Sequence, residues 1–384
     1  MARVLLIGTF ETKQAELGYL ADALARNGLD VEEVDVSLGS GGVVWSGAEK
    51  LARMAEKAEA ASARIAARCD ECFVALGVGG GTGGEIVLAA LKGLPAAYPK
   101  LLITTLAFDP RAALADTAIT LIPTLCDIEG LNPTLRQVFE NTAAAIAGIY
   151  RAQVAPRSDA LSVAVTTLGA TNRAGAEVTR LLAETGREAT VFHANGYGGA
   201  AFARFVTEGH AKAVIDLNVH ELGRLRLAGA HVPMPNRFSC ADALPRVVLP
   251  GALNFIGLGA IDTVSAAHRA RPHYRHSSQF THVKLTEEEM ADQAHALAQA
   301  LNAAQAPCHV IAPMGGFSHE DRPGGAIEDA GLRGIAAEVL EAQAKAFDVT
   351  RIPHHINTPE TATAVIEALN SALEAAPTQR TEHV

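Results

Sequence analysis

The chain has 384 residues, which favours two domains over one because a single domain usually holds about 100–200 residues. Hydrophobic residues make up 49% of the sequence and charged residues 19%, a composition that excludes an intrinsically disordered chain. The 32 Lys and Arg against 42 Asp and Glu give a net charge of −10, which disfavours nonspecific binding to nucleic acid or to an anionic membrane surface. A small anionic ligand held by backbone amides is still compatible with this charge.

The sequence opens without the pattern of a secretory signal peptide, and none of its apolar runs reaches the roughly 18 residues of a membrane span. The five cysteines are too few and too scattered for a disulfide framework. Cys69 and Cys72 have the C-x-x-C spacing, but no second pair completes a zinc site. We therefore expect a cytoplasmic protein in a reducing compartment, with no membrane segment.

Strands alternate with helices along the first part of the chain. The apolar run at residues 4–7, ended by Gly8, has the pattern of a strand buried on both faces. The same reasoning predicts further strands at residues 31–36, 73–76, 101–105 and 118–122, and helices up to Gly28 and at residues 47–68, 85–91 and 133–151. This alternation predicts a parallel sheet covered on both faces.

A polar segment at residues 155–159 breaks the pattern, and we predict domains at residues 1–155 and 156–384. Strands are then expected at residues 161–167, 189–192, 213–217, 247–249, 309–312 and 349–352, with helices at 173–184, 199–208, 287–304, 329–346 and 359–373. The stretch from residue 251 to 282 has weak periodicity, so we expect a long irregular segment there. The predicted fold is α/β, with two doubly wound, Rossmann-like parallel-sheet subdomains facing an interdomain cleft.

A glycine-rich segment at residues 77–84 follows the third predicted strand and has six glycines in eight positions. Glycine lets backbone N–H groups approach a phosphate, and the following helix adds a positive dipole end. A tight strand-to-helix turn is the alternative, although it needs fewer glycines; the segment is not a Walker A loop, because no Lys-Ser/Thr follows. We interpret it as a phosphate site that uses Gly79, Gly80, Gly81, Thr82, Gly83 and Gly84.

A second polar cluster follows the first strand, where ligands of open α/β sheets usually bind. Lys13 can pair with a phosphate, while Thr hydroxyls and Glu11 can orient a ribose or a hydrated Mg²⁺. The alternative is ordinary helix capping by Thr9 or Thr12. The cofactor-binding prediction for this cluster comprises Gly8, Thr9, Glu11, Thr12 and Lys13, together with Thr105 after another strand.

The second half concentrates histidines after its predicted strands. Histidine serves as an acid, a base or a metal ligand, and Ser318 could be a nucleophile or a ligand hydroxyl. The sequence has no H-E-x-x-H helix motif and no G-x-S-x-G elbow, so any metal or triad would need separate loops. Surface or core histidines are the alternative interpretation. The catalytic candidates are His193, Glu221, His276, Ser318 and His354.

Arg173 stands at the predicted start of a helix in the second half. It could bind an anion there. The alternative, which the sequence slightly favours, is that Asn172 simply caps the helix.

Ordered motifs along the whole chain resemble the uncharacterised family around the tomato tobamovirus-resistance protein, in its N-terminal ATP-binding domain. They are Gly-Thr-x-[Asp/Glu]-Thr-Lys at 8–13, the 77–84 loop, Leu94-Pro95, Pro99-Lys100, Gly130-Leu131-Asn132, Phe192-His193-Ala194, Gly198-Gly199, Pro250-Gly251-Ala252-Leu253 and Pro353-His354-His355-Ile356-Asn357. The resemblance implies a two-subdomain α/β protein that binds ATP and is usually dimeric. This chain departs from the pattern at Phe10, Phe108 and His220.

These observations predict a protein that binds ATP, a related nucleotide or a phosphometabolite, with Mg²⁺ as a candidate companion ion. One alternative is a metal-assisted hydrolase or C–C lyase of a small acid or keto compound, which would use a second divalent metal and the histidines of the cleft. Another is a noncatalytic interaction module. The expected partners are a small anionic ligand and a second copy of the chain, with no nucleic acid and no membrane.

Overall fold

The computed structural model describes residues 2–39, 41, 43–152, 162–229 and 232–376. The chain forms two compact units, Met1–Ser158 and Asp159–Val384, which we call the first and the second unit. The boundary predicted between residues 155 and 156 lies outside the described residues. Within the described residues, no helix is both long and apolar enough to cross a membrane.

The first unit is a five-stranded parallel sheet in the described residues, with the strand order β2-β1-β3-β4-β5. This is the flavodoxin-like variant of a doubly wound sheet, in which the order reverses between β1 and β3. Its elements are β1 (Ala2–Gly8), α1 (Phe10–Arg26), β2 (Leu29–Asp35), α2 (Gly47–Ala66), β3 (Val74–Gly79), α3 (Gly81–Leu91), β4 (Lys100–Thr104), β5 (Thr120–Pro123) and α4 (Pro133–Ala152).

Alternate residues of β1 enter two different cores, because successive side chains of a strand point to opposite faces. Val4 and Leu6 pack with residues of α1 and α4, including Phe139. Leu5 and Ile7 pack with residues of α2 and α3 on the other face. The continuous apolar run of the sequence is therefore a strand covered on both sides by helices, as predicted.

The second unit has a six-stranded parallel sheet in its described residues, with the order β14-β13-β9-β8-β6-β7. Counted along this sheet, the strand order is 2-1-3-4-5-6, which is the order 2-1-3-4-5 of the first unit with a sixth strand added. Its strands are β6 (Ser162–Thr167), β7 (Ala189–His193), β8 (Ala211–Asp216), β9 (Arg246–Val248), β13 (Cys308–Pro313) and β14 (Asp348–Ile352). Its predicted helices are observed as α5 (Asn172–Glu184), α6 (Gly198–Thr207), α9 (Glu287–Leu301), α10 (Ala330–Gln343) and α11 (Pro359–Ala375).

The stretch from residue 251 to 282 is not the irregular segment that we predicted. It contributes an antiparallel sheet in the order β10-β12-β11. Its strands are β10 (Phe255–Leu258), β11 (His273–Arg275) and β12 (Thr281–Lys284), with α8 (Ala266–Arg269) between the first two. Strands of three or four residues are too short to show an alternating pattern, so they escaped prediction. The helix α7 (His220–Arg226) was also missed, because its seven residues are too few to show a clear helical period.

Gly77, inside β3, tests how tightly the first unit is packed. A Cβ at this position would lie 2.2 Å from Cγ1 of Val87. We expect Gly77→Ala to lower the free energy of unfolding by about 1–3 kcal/mol, as overpacking usually does. Urea unfolding followed by tryptophan fluorescence measures this, because the one tryptophan, Trp45, lies in the first unit. In the control, Gly148→Ala in α4, the Cβ meets nothing within 4 Å, so stability should stay the same or rise. Equal unfolding midpoints for the two variants would contradict the packing argument.

Candidate functional site

The segments that follow β1 and β3 lie around one cavity of about 410 Å³ in the first unit. These strands are neighbours, and they form the point where the strand order reverses. From the predicted set, the cavity is lined by Thr9, Glu11, Thr12, Lys13, Gly79, Gly80, Gly81, Thr82 and Gly83. Two segments about 70 residues apart in the sequence therefore meet, because parallel strands end at the same edge of a sheet.

Helix α3 begins at this cavity and has no side-chain cap. Its N-cap residue is Gly80, no side chain among the described residues hydrogen-bonds to the start of the helix, and its first turn has no acidic residue. The first amides of a helix have no partner within the helix, and they carry the positive end of its dipole. An uncapped start of this kind suits an anion.

The glycines of the 77–84 segment have two different roles. A Cβ at Gly79 would lie 2.4 Å from the backbone nitrogen of Gly84, and one at Gly84 would lie 2.8 Å from the Phe108 ring, so the tight turn requires both glycines. At Gly80 and Gly81 the nearest atoms would be 3.6 and 3.9 Å away, which is ordinary contact. Packing therefore explains the first pair of glycines and leaves the second pair free for close approach by a ligand.

The start of α1, in contrast, is already capped. Oδ1 of Asp35 accepts a hydrogen bond from the Phe10 amide at 3.1 Å, and Oγ of Ser37 accepts one from the Glu11 amide at 2.9 Å. Burial raises the pKa of Asp35, but its hydrogen bonds from Ser37 and Phe10 outweigh burial and lower the pKa overall. The cap thus comes from residues at the end of β2 and not from Thr9 or Thr12, so the amides of α1 are not free for a phosphate.

Lys13 lines the cavity, but its ammonium group already forms an ion pair with a carboxylate. Its Nζ lies 2.7 Å from Oε2 of Glu129, whose pKa is lowered by this hydrogen bond. Lys50 also lines the cavity, as do Glu11 and Asp127. Oε2 of Glu11 accepts a hydrogen bond from the Gly39 amide, which fixes the loop after β2. The cavity therefore combines two lysines with three carboxylates.

No group of three His, Cys, Asp or Glu side chains in the described part of the chain is placed to hold a metal ion. The predicted Mg²⁺ and the predicted second metal stay predictions.

Sequence reasoning missed several residues of this cavity, namely Ser37, Trp45, Lys50, Asp127 and Glu129. They follow β2 and β5, so the rule that ligands bind beyond strand ends could have included them. Trp45 is the only tryptophan in the sequence, and the guanidinium of Arg53 lies 4.8 Å from the centre of its ring. An aromatic ring beside a glycine turn can stack on a flat ligand group.

Three predicted residues lie outside this cavity, namely Thr105, Gly8 and Gly84, of which Gly84 is required by the tight turn. Thr105 lines an adjoining cavity of about 590 Å³, which shares Gly81 and Asp127 with the first. Leu125 in that second lining has a positive φ of 60°, an uncommon conformation for a non-glycine residue. Gly8 lies in neither lining, and a Cβ there would be 2.9 Å from the Leu17 side chain. The structure therefore gives Gly8 a packing role.

The five predicted catalytic residues of the second unit do not gather at one point. His193 ends β7 and His354 follows β14, and both side chains are exposed. These strands are opposite edges of the sheet, and five strand spacings of about 4.8 Å put them about 24 Å apart. Ser318 is buried, and its hydroxyl has no hydrogen-bond partner among the described residues, so no Ser–His pair forms there.

Glu221 belongs to a buried network of charges. Its Oε1 accepts hydrogen bonds from the Gly196 and Gly199 amides at 2.7 and 3.0 Å, and its Oε2 lies 2.8 Å from Nε of Arg237. Arg237 also pairs with Asp216, and Glu221, Arg237 and Asp216 are fully buried. The contacts of Glu221 are those of a structural residue that fixes the loop between β7 and α6.

His276 stands at the outer end of a row of rings. It stacks on His282 with ring centres 4.9 Å apart; His282 stacks on Phe255 at 4.1 Å, and Phe255 contacts His220 at 4.6 Å. Burial lowers the pKa of His282 to about 3 and lowers that of His220 well below its usual value. Both inner histidines are therefore neutral at physiological pH.

This row predicts that the second unit loses stability in mild acid. Because the pKa of His282 is about 3 in the folded chain, only the unfolded chain binds this proton as the pH falls below about 6.5. Each such histidine lowers the free energy of unfolding by up to about 1.4 kcal/mol for every pH unit below that value. We expect His282→Phe, which keeps a stacked ring, to make stability less dependent on pH between about 6.5 and 5.

Differential scanning calorimetry across that range measures the effect. His295→Phe, a change of an exposed histidine on α9, is the matched control and should keep the wild-type dependence on pH. The same pH dependence in His282→Phe as in the wild type would show that His282 is not the source.

Two family models match the chain, and both carry the description "Uncharacterised protein family (UPF0261)". The N-terminal domain of the family matches residues 43–155, and the C-terminal domain matches residues 160–373. A UPF0261 protein of Mesorhizobium japonicum is 31% identical over 397 residues, which cover 97% of this chain and 100% of the relative. A UPF0261 protein of Clostridium tetani is 27% identical over 411 residues, with 97% and 99% covered.

The ToMV resistance protein Tm-1(GCR237) of Solanum lycopersicum is 28% identical over 317 residues, which cover 79% of this chain and 42% of that protein. Among solved structures, Acinetobacter baumannii MurG aligns with 98% of this chain and 96% of its own, at 12% identity. Its TM-score of 0.21 is too low to support an argument. The resemblance inferred from the sequence motifs is thus confirmed at the level of the family, while ATP binding stays a prediction. The chain belongs to the uncharacterised protein family UPF0261.

Proposed function

We propose that the first unit binds a nucleotide, ATP or a relative of it, or a phosphorylated metabolite, with the phosphates at the start of α3. The uncapped glycine start of this helix, open to a cavity of about 410 Å³, carries the proposal. The volume lies within the range of about 300–1,000 Å³ that small-molecule sites usually have. The start of α1 at the same edge is already capped, which leaves α3 as the phosphate-binding end.

The charges around the cavity restrict the kind of ligand that we propose. Lys13 and Lys50 provide two positive charges, but Glu11, Asp127 and Glu129 provide three negative ones. A bare polyphosphate would be opposed by these carboxylates, whereas a phosphate group that carries its own divalent cation would not. The proposed ligand therefore enters as a magnesium complex, with Thr9 and Thr12 in reach of its sugar hydroxyls.

The alternatives have weaker support. A hydrolase or lyase needs its acid, base and nucleophile within hydrogen-bond reach of one substrate, and His193 and His354 lie at opposite edges of a sheet. No observation on the described residues favours that function, and none favours a noncatalytic interaction module over ligand binding. The homodimer, the cytoplasmic location and the interdomain cleft stay predictions.

Gly81→Asp tests the proposed phosphate position. Gly81 is the first residue of α3, where the positive end of the helix dipole stabilises an added carboxylate. A Cβ at this position has its nearest atom 3.9 Å away. We expect stability to change by less than about 1 kcal/mol. Affinity for Mg-ATP should fall at least about tenfold, because the new carboxylate takes the place of the phosphate.

Gly47→Asp is the matched control, because Gly47 is the first residue of α2 and a Cβ there meets nothing within 4 Å. Calorimetric titration gives the affinity, and the fluorescence of Trp45 reports entry of the ligand into this cavity. Wild-type affinity in the Gly81→Asp variant would overturn the proposed phosphate position, and no binding of Mg-ATP by the wild type at millimolar concentration would overturn the nucleotide as its ligand.

The Lys13–Glu129 pair gives an independent prediction. If Lys13 must leave Glu129 to meet a phosphate, then Glu129→Gln should tighten binding of the anion several-fold, and Lys13→Gln should weaken it about tenfold. Lys92→Gln at the far end of α3 is a control for the loss of one positive charge. Weaker binding in Glu129→Gln would indicate that this carboxylate holds the ligand or its cation.

A further inference from the structure

The second unit has a cavity of about 470 Å³ with a markedly positive lining. Two arginines and two histidines line it, and no carboxylate is among its described lining residues. The residues that matter here are Arg173, His319, Arg322, His355, Asn357 and Thr358. In a chain with a net charge of −10, such a lining is unusual.

Three loops that follow β6, β13 and β14 build this cavity, and hydrogen bonds tie them together. Nδ2 of Asn357 donates to the Ala170 carbonyl at 2.9 Å, and its Oδ1 accepts from the Ala174 amide at 3.2 Å. The His319 amide donates to the same Ala170 carbonyl at 2.9 Å. The cavity wall is thus fixed before any ligand arrives, which lowers the entropy that binding would cost.

His355 adds a rigid, neutral wall. Its Nδ1 accepts a hydrogen bond from the Asn357 amide at 3.0 Å, so Nε2 carries the proton and donates to the Ser318 carbonyl at 3.0 Å. Burial lowers the pKa of this histidine, in agreement with the neutral form. His355 therefore adds no positive charge to the cavity, in contrast to the two arginines.

Neither Arg173 nor Arg322 lies within ion-pair distance of a carboxylate among the described residues. Nε of Arg322 donates to the His319 carbonyl, which orients the guanidinium and leaves its two terminal nitrogens for another partner. Arg180, two turns along α5 from Arg173, has the ordinary surface arrangement, since it pairs with Glu177 and Glu184. Arg322 is thus an oriented cation, and neither arginine of the cavity has a counter-charge within ion-pair distance in the part of the chain that the structure describes.

The start of α5 adds to this field. No side chain of its N-cap residue, Thr171, caps the helix, and Asn172 does not provide the cap that we expected from the sequence. Asn357 supplies one acceptor, from the loop after β14. Because β6 and β14 are parallel, α5 and α11 both begin at the same edge of the sheet. The start of α11 is already capped by the Thr358 side chain and has Glu360 in its first turn, so the dipole end that adds to this field is that of α5.

We propose that this cavity binds a small organic anion through Arg173 and Arg322, each guanidinium holding oxygens of a carboxylate or phosphate group. Guanidinium groups match the paired oxygens of both anions, and charge-assisted hydrogen bonds of this kind are strong. The site is separate from the phosphate position at α3 and does not depend on it. The second unit would then bind its own ligand, and the row of rings around His282 would take no part in that binding.

Calorimetric titration of the full chain with succinate and with inorganic phosphate tests this site, in the wild type and in five variants. Arg173→Gln and Arg322→Gln should each weaken binding about tenfold, and the double variant should abolish it. Arg180→Gln removes the same charge from the same helix outside the cavity and should bind as the wild type does. The Gly81→Asp variant distinguishes the two sites, because any heat of phosphate binding measured with this variant cannot come from the start of α3.

Succinate heat without phosphate heat would assign a carboxylate ligand to the cavity, and the reverse would assign a phosphorylated one. Equal affinities in Arg173→Gln, Arg322→Gln and Arg180→Gln would overturn the proposal. So would the absence of heat with both anions at millimolar concentration. A thermal unfolding scan of each variant shows whether a loss of binding reflects a loss of folding.

Discussion

Each strand of the two main sheets runs parallel to its neighbours, and this constraint places all carboxyl ends of a sheet at one edge. Because both units use the order 2-1-3, the chain leaves the first strand on one side and the third on the other. The loops at that point diverge and leave a gap between them, which is where ligands of such sheets bind. The positions of the unusual residues in both units follow from this geometry.

The gap between the loops after the first and third strands differs between the two units. In the first unit it stays open, with glycines at the start of α3 and lysines at its rim. In the second unit buried charges fill it: Thr166, near the end of β6, donates to Asp216 at 2.8 Å, and Asp216 pairs with Arg237 and Arg246. A buried carboxylate needs such partners, because an unpaired charge in the interior would be very costly. The open cavity of the second unit is the one lined by Arg173 and Arg322, formed by the loops after β6, β13 and β14.

The glycine segment shows how one motif can satisfy two demands at once. Gly79 and Gly84 are required because their Cβ atoms would overlap the backbone or the Phe108 ring. Gly81 has space around it and lies at the end of a helix dipole. A sequence pattern counts these glycines alike, and only the atoms around each one separate packing from ligand approach.

The sequence by itself determined the fold class, because apolar runs that alternate with helical periods leave few arrangements other than covered parallel sheets. It also determined that Thr9, Lys13 and Gly81 would lie near a common edge, since strand direction alone brings them there. It could not show that Asp35 caps α1, that Glu129 holds Lys13, or that Glu221 is enclosed with Arg237, because these pairs join side chains from separate elements. The tertiary structure decided which polar groups are already satisfied and which still face an open cavity, because that depends on distances that local pattern does not encode.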